Sequence, residues 1–294
     1  MNNQIGLAEE ARAPTRDLGN GLHGLADDLA YLRLSIVNVV FYGRQDAGDR
    51  GWVLIDTGLA TSEDAIRNAA AILFGEAARP SAIVLTHGHF DHVGSVASLA
   101  QEWDVPVYAH ALELPYLDGT ASYPPADPFV GGGVMALLSP LYPRSPIDIS
   151  ARLAVLPADR SVPGMPGWRW LHTPGHAPGH VALWREGDRT LIAGDAVITT
   201  GQESAYEVMV QQLEIHGPPR YFTPDWGAAH RSAQLIARLE PELLITGHGA
   251  PAIGPAMRHG LQQLARDFET IAVPQDGKYV RDPATADNGD VYRR

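Results

Sequence analysis

Three imidazoles and a carboxylate fall within six residues of this 294-residue chain, in the run Thr86-His87-Gly88-His89-Phe90-Asp91-His92. Imidazole nitrogens and carboxylate oxygens are the donors that hold divalent cations of intermediate softness. On a turn that closes a strand, alternate residues can converge on a point that one helix face could not supply. His87 and His89 can then share one cation while Asp91 and His92 face a neighbouring position, and Gly88 lets the backbone pass without a Cβ collision. A solvated His-rich loop is the bland alternative. Against it, further donors recur downstream, each after an apolar strand and beside glycine. His176 lies in Thr173-Pro174-Gly175-His176-Ala177-Pro178-Gly179-His180, Asp195 in Ala193-Gly194-Asp195, and His248 in Gly247-His248-Gly249. Strand ends of this kind are where α/β folds place their chemistry. Five His and two Asp meet the coordination demand of two cations.

The chain has no cysteine, which removes disulfides, thiolate nucleophiles and Cys-containing metal sites in one step. It has no G-x-S-x-G elbow either. A water activated by metal is the nucleophile that remains. The formal net charge of -12 repels phosphate backbones, so no nucleic-acid partner is expected. The polar start lacks the apolar core of a secretory leader, and no apolar run reaches the length of a membrane span. The expectation is a soluble cytoplasmic enzyme acting on a small molecule, with no membrane partner.

The elements that must position these donors follow from periodicity. β-branched and aromatic runs predict strands at 32–42, 52–55, 83–85, 105–109, 153–156, 168–171, 181–184, 190–193 and 243–245. Amphipathic spacing predicts helices at 62–74, 93–103, 225–239 and 256–271. The first 30 residues read as an irregular arm, 31–273 as the main domain and 274–294 as a loose or extended tail. Residues 114–150 form an insertion with seven prolines and the run Gly131-Gly132-Gly133, the composition of a lid or surface loop, with a short helix at 134–138. Its exposed aromatics would also suit a homodimer contact. Both halves run from strands into helices, so the fold class is α/β: two sheets face to face with helices outside.

The four separated motifs resemble the metallo-β-lactamase fold superfamily, over residues 32–271. The resemblance implies a four-layer αββα sandwich with two mixed sheets. It implies that His87, His89 and His176 hold one metal, that Asp91, His92 and His248 hold a second, and that Asp195 bridges both. The cofactors would be two divalent cations, zinc first, with Mn²⁺ or Fe²⁺ as alternatives. Asp91 would double as a catalytic group that orients the nucleophile or passes a proton. Asp56, in Asp56-Thr57-Gly58, would support the site without ligating, and so would His180. Thr86 and Thr246 could orient imidazoles. His110 and His172 read as structural; His23, His216, His230 and His259 read as surface or cap positions.

The implied reaction is hydrolysis by a hydroxide bridging the two metals. The absence of cysteine excludes the β-lactamases with a Cys ligand, and Asp195 separates the chain from the His-only subclass. Lactonases of the superfamily place a tyrosine three residues beyond the bridging Asp; here Ile198 stands there, so Tyr206 or an insertion tyrosine would have to substitute. Glyoxalase II-like enzymes grip an acidic substrate with basic residues, for which Arg258 is a lone candidate. Tyr116, Tyr123, Phe129, Leu137, Leu138 and Tyr142, with Phe90 and Trp226, could line an apolar pocket. Such walls favour a lactone or carboxylic ester of a neutral, apolar substrate. The alternatives are a thioesterase of glyoxalase II type, a phosphotriesterase or phosphodiesterase, a promiscuous β-lactamase, and a mononuclear iron persulfide dioxygenase.

Overall fold

In a computed structural model, residues 4–130, 134–201 and 212–293 are described. Gly131, Gly132, Gly133 and Tyr206, singled out above, lie outside them. The expected sandwich is present. One sheet has eight strands, in the order Arg16–Gly19, Leu22–Ala26, Leu29–Arg33, Asn38–Tyr42, Val53–Ile55, Ala82–Val84, Val107–Ala109 and Leu153–Val155. Its first four pairings are antiparallel and its last three parallel, the change falling at Val53–Ile55. A six-stranded sheet faces it, in the order Ser161–Val162, Met165–His172, Val181–Arg185, Thr190–Ile192, Leu243–Ile245 and Ala252–Ile253.

Period-two alternation builds the layers, because successive side chains on a strand point to opposite faces. In Val53–Ile55, Val53 and Ile55 enter the cluster between the sheets, while Leu54 enters the one beneath the outer helices. Val181–Arg185 repeats this: Val181 and Leu183 face the other sheet, Ala182 and Trp184 the helices on the far side. Helix Glu63–Phe74 buries Ile66, Ala69, Ala70, Leu73 and Phe74, the stripe an amphipathic helix presents to a sheet. Helices Val96–Trp103, Trp226–Leu239 and Gly254–Arg266 do likewise. Four layers with three apolar seams result.

The structure corrects several expectations. Residues 16–26, read as part of an irregular arm, form two strands of the larger sheet; half-exposed edge strands with turn glycines carry little apolar periodicity. The run 32–42 is not one strand but parts of two, Leu29–Arg33 and Asn38–Tyr42, joined by a tight turn in which Leu34 N–H donates to Val37 O at 3.0 Å. The helix expected at 93–103 is divided, and its first piece, Phe90–Val93, begins inside the ligand motif. Residues 278–281 are helical, and the tail packs on the insertion: Tyr279 OH donates to Pro125 O at 2.6 Å and Tyr116 OH to Val291 O at 2.7 Å. The helix expected at 134–138 is present. No helix among the described residues is long and apolar enough to cross a membrane.

Candidate metal centre

Each donor sits just beyond the C-terminal end of a strand. The His87 turn follows Ala82–Val84, the His176 loop follows Met165–His172, Asp195 follows Thr190–Ile192, and His248 follows Leu243–Ile245. Backbone bonds lace these ends together: Val181 N–H donates to Thr86 O at 2.9 Å, Gly247 N–H to Gly194 O at 2.8 Å and Asn38 N–H to Gly247 O at 2.7 Å. Residue 247 must be glycine, since a Cβ there would lie 2.0 Å from Asp195 Oδ1.

Three donor groups gather among the described residues: His87, His89 and His176; His87, His92 and Asp195; Asp91, His92 and His248. Within each group the donor atoms lie within 4.8 Å of one another. Asp195 Oδ2 is central, 3.0 Å from His248 Nε2, 3.3 Å from His176 Nε2 and 3.5 Å from His92 Nε2. His89 Nδ1 stands 2.9 Å from His176 Nε2. All seven side chains are buried.

Hydrogen bonds outside the cluster fix which nitrogen faces inward. Asp56, itself buried, accepts Thr86 N–H at Oδ1 (2.8 Å), and at Oδ2 both Thr86 OH (2.7 Å) and His92 Nδ1–H (2.8 Å). Because the Thr86 hydroxyl gives its proton to Asp56, it accepts from His87 Nδ1–H at 3.1 Å. One carboxylate thus sets both tautomers and turns both Nε2 lone pairs toward the centre. His248 Nδ1 is likewise held by the Ile36 carbonyl. His180 uses both nitrogens, Nδ1 with Thr173 Oγ1 at 2.9 Å and Nε2 accepting Asp195 N–H at 2.9 Å, so it buttresses Asp195.

Electrostatics agree with a cation site. Burial, then neighbouring imidazoles, hold His87 and His89 well below the ordinary histidine range, which keeps their lone pairs bare. Burial pushes His92 the same way but is outweighed by the carboxylates of Asp195, Asp56 and Asp91, which raise it. That excess of negative charge is what a divalent cation would answer. His87 Nε2, His92 Nε2, His176 Nδ1 and Asp195 Oδ1 are buried without a hydrogen-bond partner. Each such atom costs about 1–3 kcal/mol. His87 Nε2 and His92 Nε2 are the nitrogens turned toward the centre, and unpartnered donors of that type fit a pair of divalent metals.

Comparison with known proteins decides the family, since the metallo-beta-lactamase superfamily model matches residues 32–248. The chain belongs to that superfamily. The probable metallo-hydrolase YflN of Bacillus subtilis (strain 168) is 46% identical over 255 residues, covering 87% of this chain and 94% of that protein. The probable metallo-hydrolase YybB of the same organism is 34% identical over 197 residues, covering 67% and 74%. The crystal structure of TTHA1623 in a di-iron-bound form superposes with a TM-score of 0.50 at 28% identity, over 80% of this chain and 96% of that one. With this fold and these donor clusters, the superfamily member described here is a metal-dependent hydrolase.

The structure brings together His87, His89, Asp91, His92, His176, Asp195 and His248. His110 and His172 stack on each other at 4.4 Å, outside these clusters. His216 is buried rather than on the surface, its Nδ1 donating to Gly217 O at 2.8 Å. Thr246 hydroxyl donates to the His248 carbonyl, not to an imidazole. Trp226 packs in the helix-facing core against Phe268 and does not line the cavity beside Gly88 and Phe90. Phe129, Leu137 and Leu138 face solvent. Tyr123 lies beside His89, ring centres 4.3 Å apart, but its hydroxyl is committed to Glu113. Sequence reasoning missed Glu113 and Asn38; the latter's Nδ2 donates to Thr246 O at 2.9 Å and Gly249 O at 2.6 Å, on either side of His248.

Proposed function

We propose that the cluster holds two divalent cations, zinc first, to hydrolyse a lactone or carboxylic ester with a neutral, apolar acyl part. His87, His89 and His176 hold one cation, Asp91, His92 and His248 the other, and Asp195 reaches both. The di-iron form of TTHA1623 makes iron the alternative metal. Bound together, such cations supply an acidified water and Lewis acidity toward the substrate carbonyl. The chain supplies the rest. Asp91, whose Oδ2 lies 3.5 Å from His248 Nε2, would orient the water, take the proton it gives up on attack and hand that proton to the leaving oxygen. Asp56 keeps the imidazole nitrogens aimed, and the buried walls exclude bulk water.

The substrate class rests on one observation, a cavity of about 440 Å³ that meets the ligand-bearing turn at Gly88 and Phe90. Tyr116, Tyr123, Val93 and Ile147 line it, and Arg144 is the one charged side chain among its described walls. That size and lining suit a small, mostly uncharged ligand. Turnover by metal-quantified protein of lactones, aryl esters, thioesters and phosphotriesters tests the reading. Lactones or aryl esters should be cleaved fastest, with loss of activity on chelation. Preference for a thioester or phosphotriester would contradict the substrate class.

A further inference from the structure

We propose that Glu113 is a positioning residue for the metal centre, its single carboxylate clamping the turn that carries His87 and His89 to the loop that carries His176. This rests on the reading that those three imidazoles share a cation. Glu113 follows strand Val107–Ala109, next to the strand that launches the His87 turn, and it is fully buried. Its Oε2 accepts Gly88 N–H at 2.9 Å, between the two ligands of the turn, and also the Tyr123 hydroxyl. Its Oε1 accepts Gly179 N–H at 2.7 Å.

Three features make this more than packing. Burying a lone carboxylate is costly unless donors surround it, and no Lys, Arg or His pairs with Glu113 among the described ion pairs. All three bonds instead come from neutral donors, two of them backbone N–H groups fixed by ligand-bearing segments. Those segments belong to different halves: Gly88 extends from the eight-stranded sheet, Gly179 from the six-stranded one. The close approach is also built into the sequence, because a Cβ at position 179 would lie 2.8 Å from Glu113 Cγ. His87 and His89 come from one half and His176 from the other, so the clamp sets the separation on which their shared site depends. Asp91, His92 and His248 have no such link to Glu113, and their site should respond less.

Competitive Zn²⁺ titration of the full chain, with visible spectra of the Co²⁺-loaded protein, tests the assignment. In Glu113→Gln an amide NH₂ must face at least one of the three donors. The expected result is a loss on the order of 10–100-fold in affinity at one of two sites, the usual scale for outer supports of metal ligands. The Co²⁺ ligand-field bands should shift, with the melting temperature little changed. Tyr123→Phe removes one donor and leaves the carboxylate in place; it should weaken the same site by about threefold, roughly half of a typical net hydrogen bond. It carries the test alone should the Gln variant not fold. Unchanged Zn²⁺ affinity and unchanged bands in the folded variants would overturn the clamp. Equal weakening of both sites in step with lost thermal stability would overturn it in favour of general packing. Failure of the unsubstituted chain to take up Zn²⁺ or Co²⁺ would overturn the metal reading itself.

Discussion

The donor turns and the insertion lie side by side yet are built on opposite terms. In the turns His87, His92 and His180 are wholly buried, and the Nδ1 of each is held by a fixed partner. In the insertion Phe129 is 88% exposed and Leu141 79%, and the tail meets it through bonds at Tyr116, Tyr279 and Asp127 and the stacking of Tyr292 on Tyr116. A site that must hold atoms at bonding distance needs preorganisation. A rim that meets a substrate does not. Under the proposed function, the contrast separates chemistry, fixed by short strand-end turns, from recognition, assigned to the insertion with its exposed apolar tip.

Removing the bridging carboxylate should break the first region most completely. Asp195→Ala deletes the oxygen shared by His92, His176 and His248. Metal analysis after desalting should find both cations lost and hydrolysis at background, with far-UV circular dichroism unchanged. Full activity in that variant after chelation would show that no metal pair is used.

Asp56→Asn comes next. Its amide can still accept Thr86 N–H, but its NH₂ now meets two groups that donate, Thr86 OH and His92 Nδ1–H. One or both imidazoles must change tautomer. Metal affinity should fall by about 10–100-fold, measured against a chromophoric chelator; affinity within twofold of the parent would deny Asp56 its role.

A smaller effect distinguishes the clamp through pH. Burial pushes Glu113 from its ordinary 4.5 up to about 7, against the pull of Tyr123, Gly179 and Gly88. Between those values the folded chain binds more protons at this carboxyl than the unfolded chain, so its contribution to stability falls as pH rises. It is fully present below 4.5 and gone above about 7. The difference in melting temperature between metal-free parent and Glu113→Gln should therefore change across that window and level off beyond it. A flat difference would place the group elsewhere. The smallest change is expected in the rim: Phe129→Ser with Leu141→Ser should alter stability by less than about 0.5 kcal/mol per site, with two cations still bound. Loss of metal in this pair would erase the contrast between the regions.

The same contrast explains what could be read in the sequence. His87 to His92 announce themselves because the donors are adjacent and follow an apolar strand, and His176, Asp195 and His248 repeat that setting. The strand at 52–55 was equally legible as a short apolar run, but which sheet face each of Val53, Leu54 and Ile55 takes was not, since all three are apolar. Glu113 was not, because its partners are backbone N–H groups 25 and 66 residues away, which no local pattern encodes. Trp226 was misplaced because helix rotation, not residue type, decides whether an aromatic faces core or pocket. The strands at 16–26 were hidden by polar, half-exposed faces, and the tail is tied down by tyrosine-to-carbonyl bonds that leave no apolar stripe.

Anomalous X-ray diffraction at the zinc and iron edges, on crystals of metal-loaded protein, tests the two-cation centre most directly. Two peaks about 3.5–4 Å apart are expected, one at about 2.0–2.1 Å from nitrogens of His87, His89 and His176, the other on Asp91, His92 and His248, with Asp195 touching both. A single peak, or a pair lying away from Asp195, would contradict it.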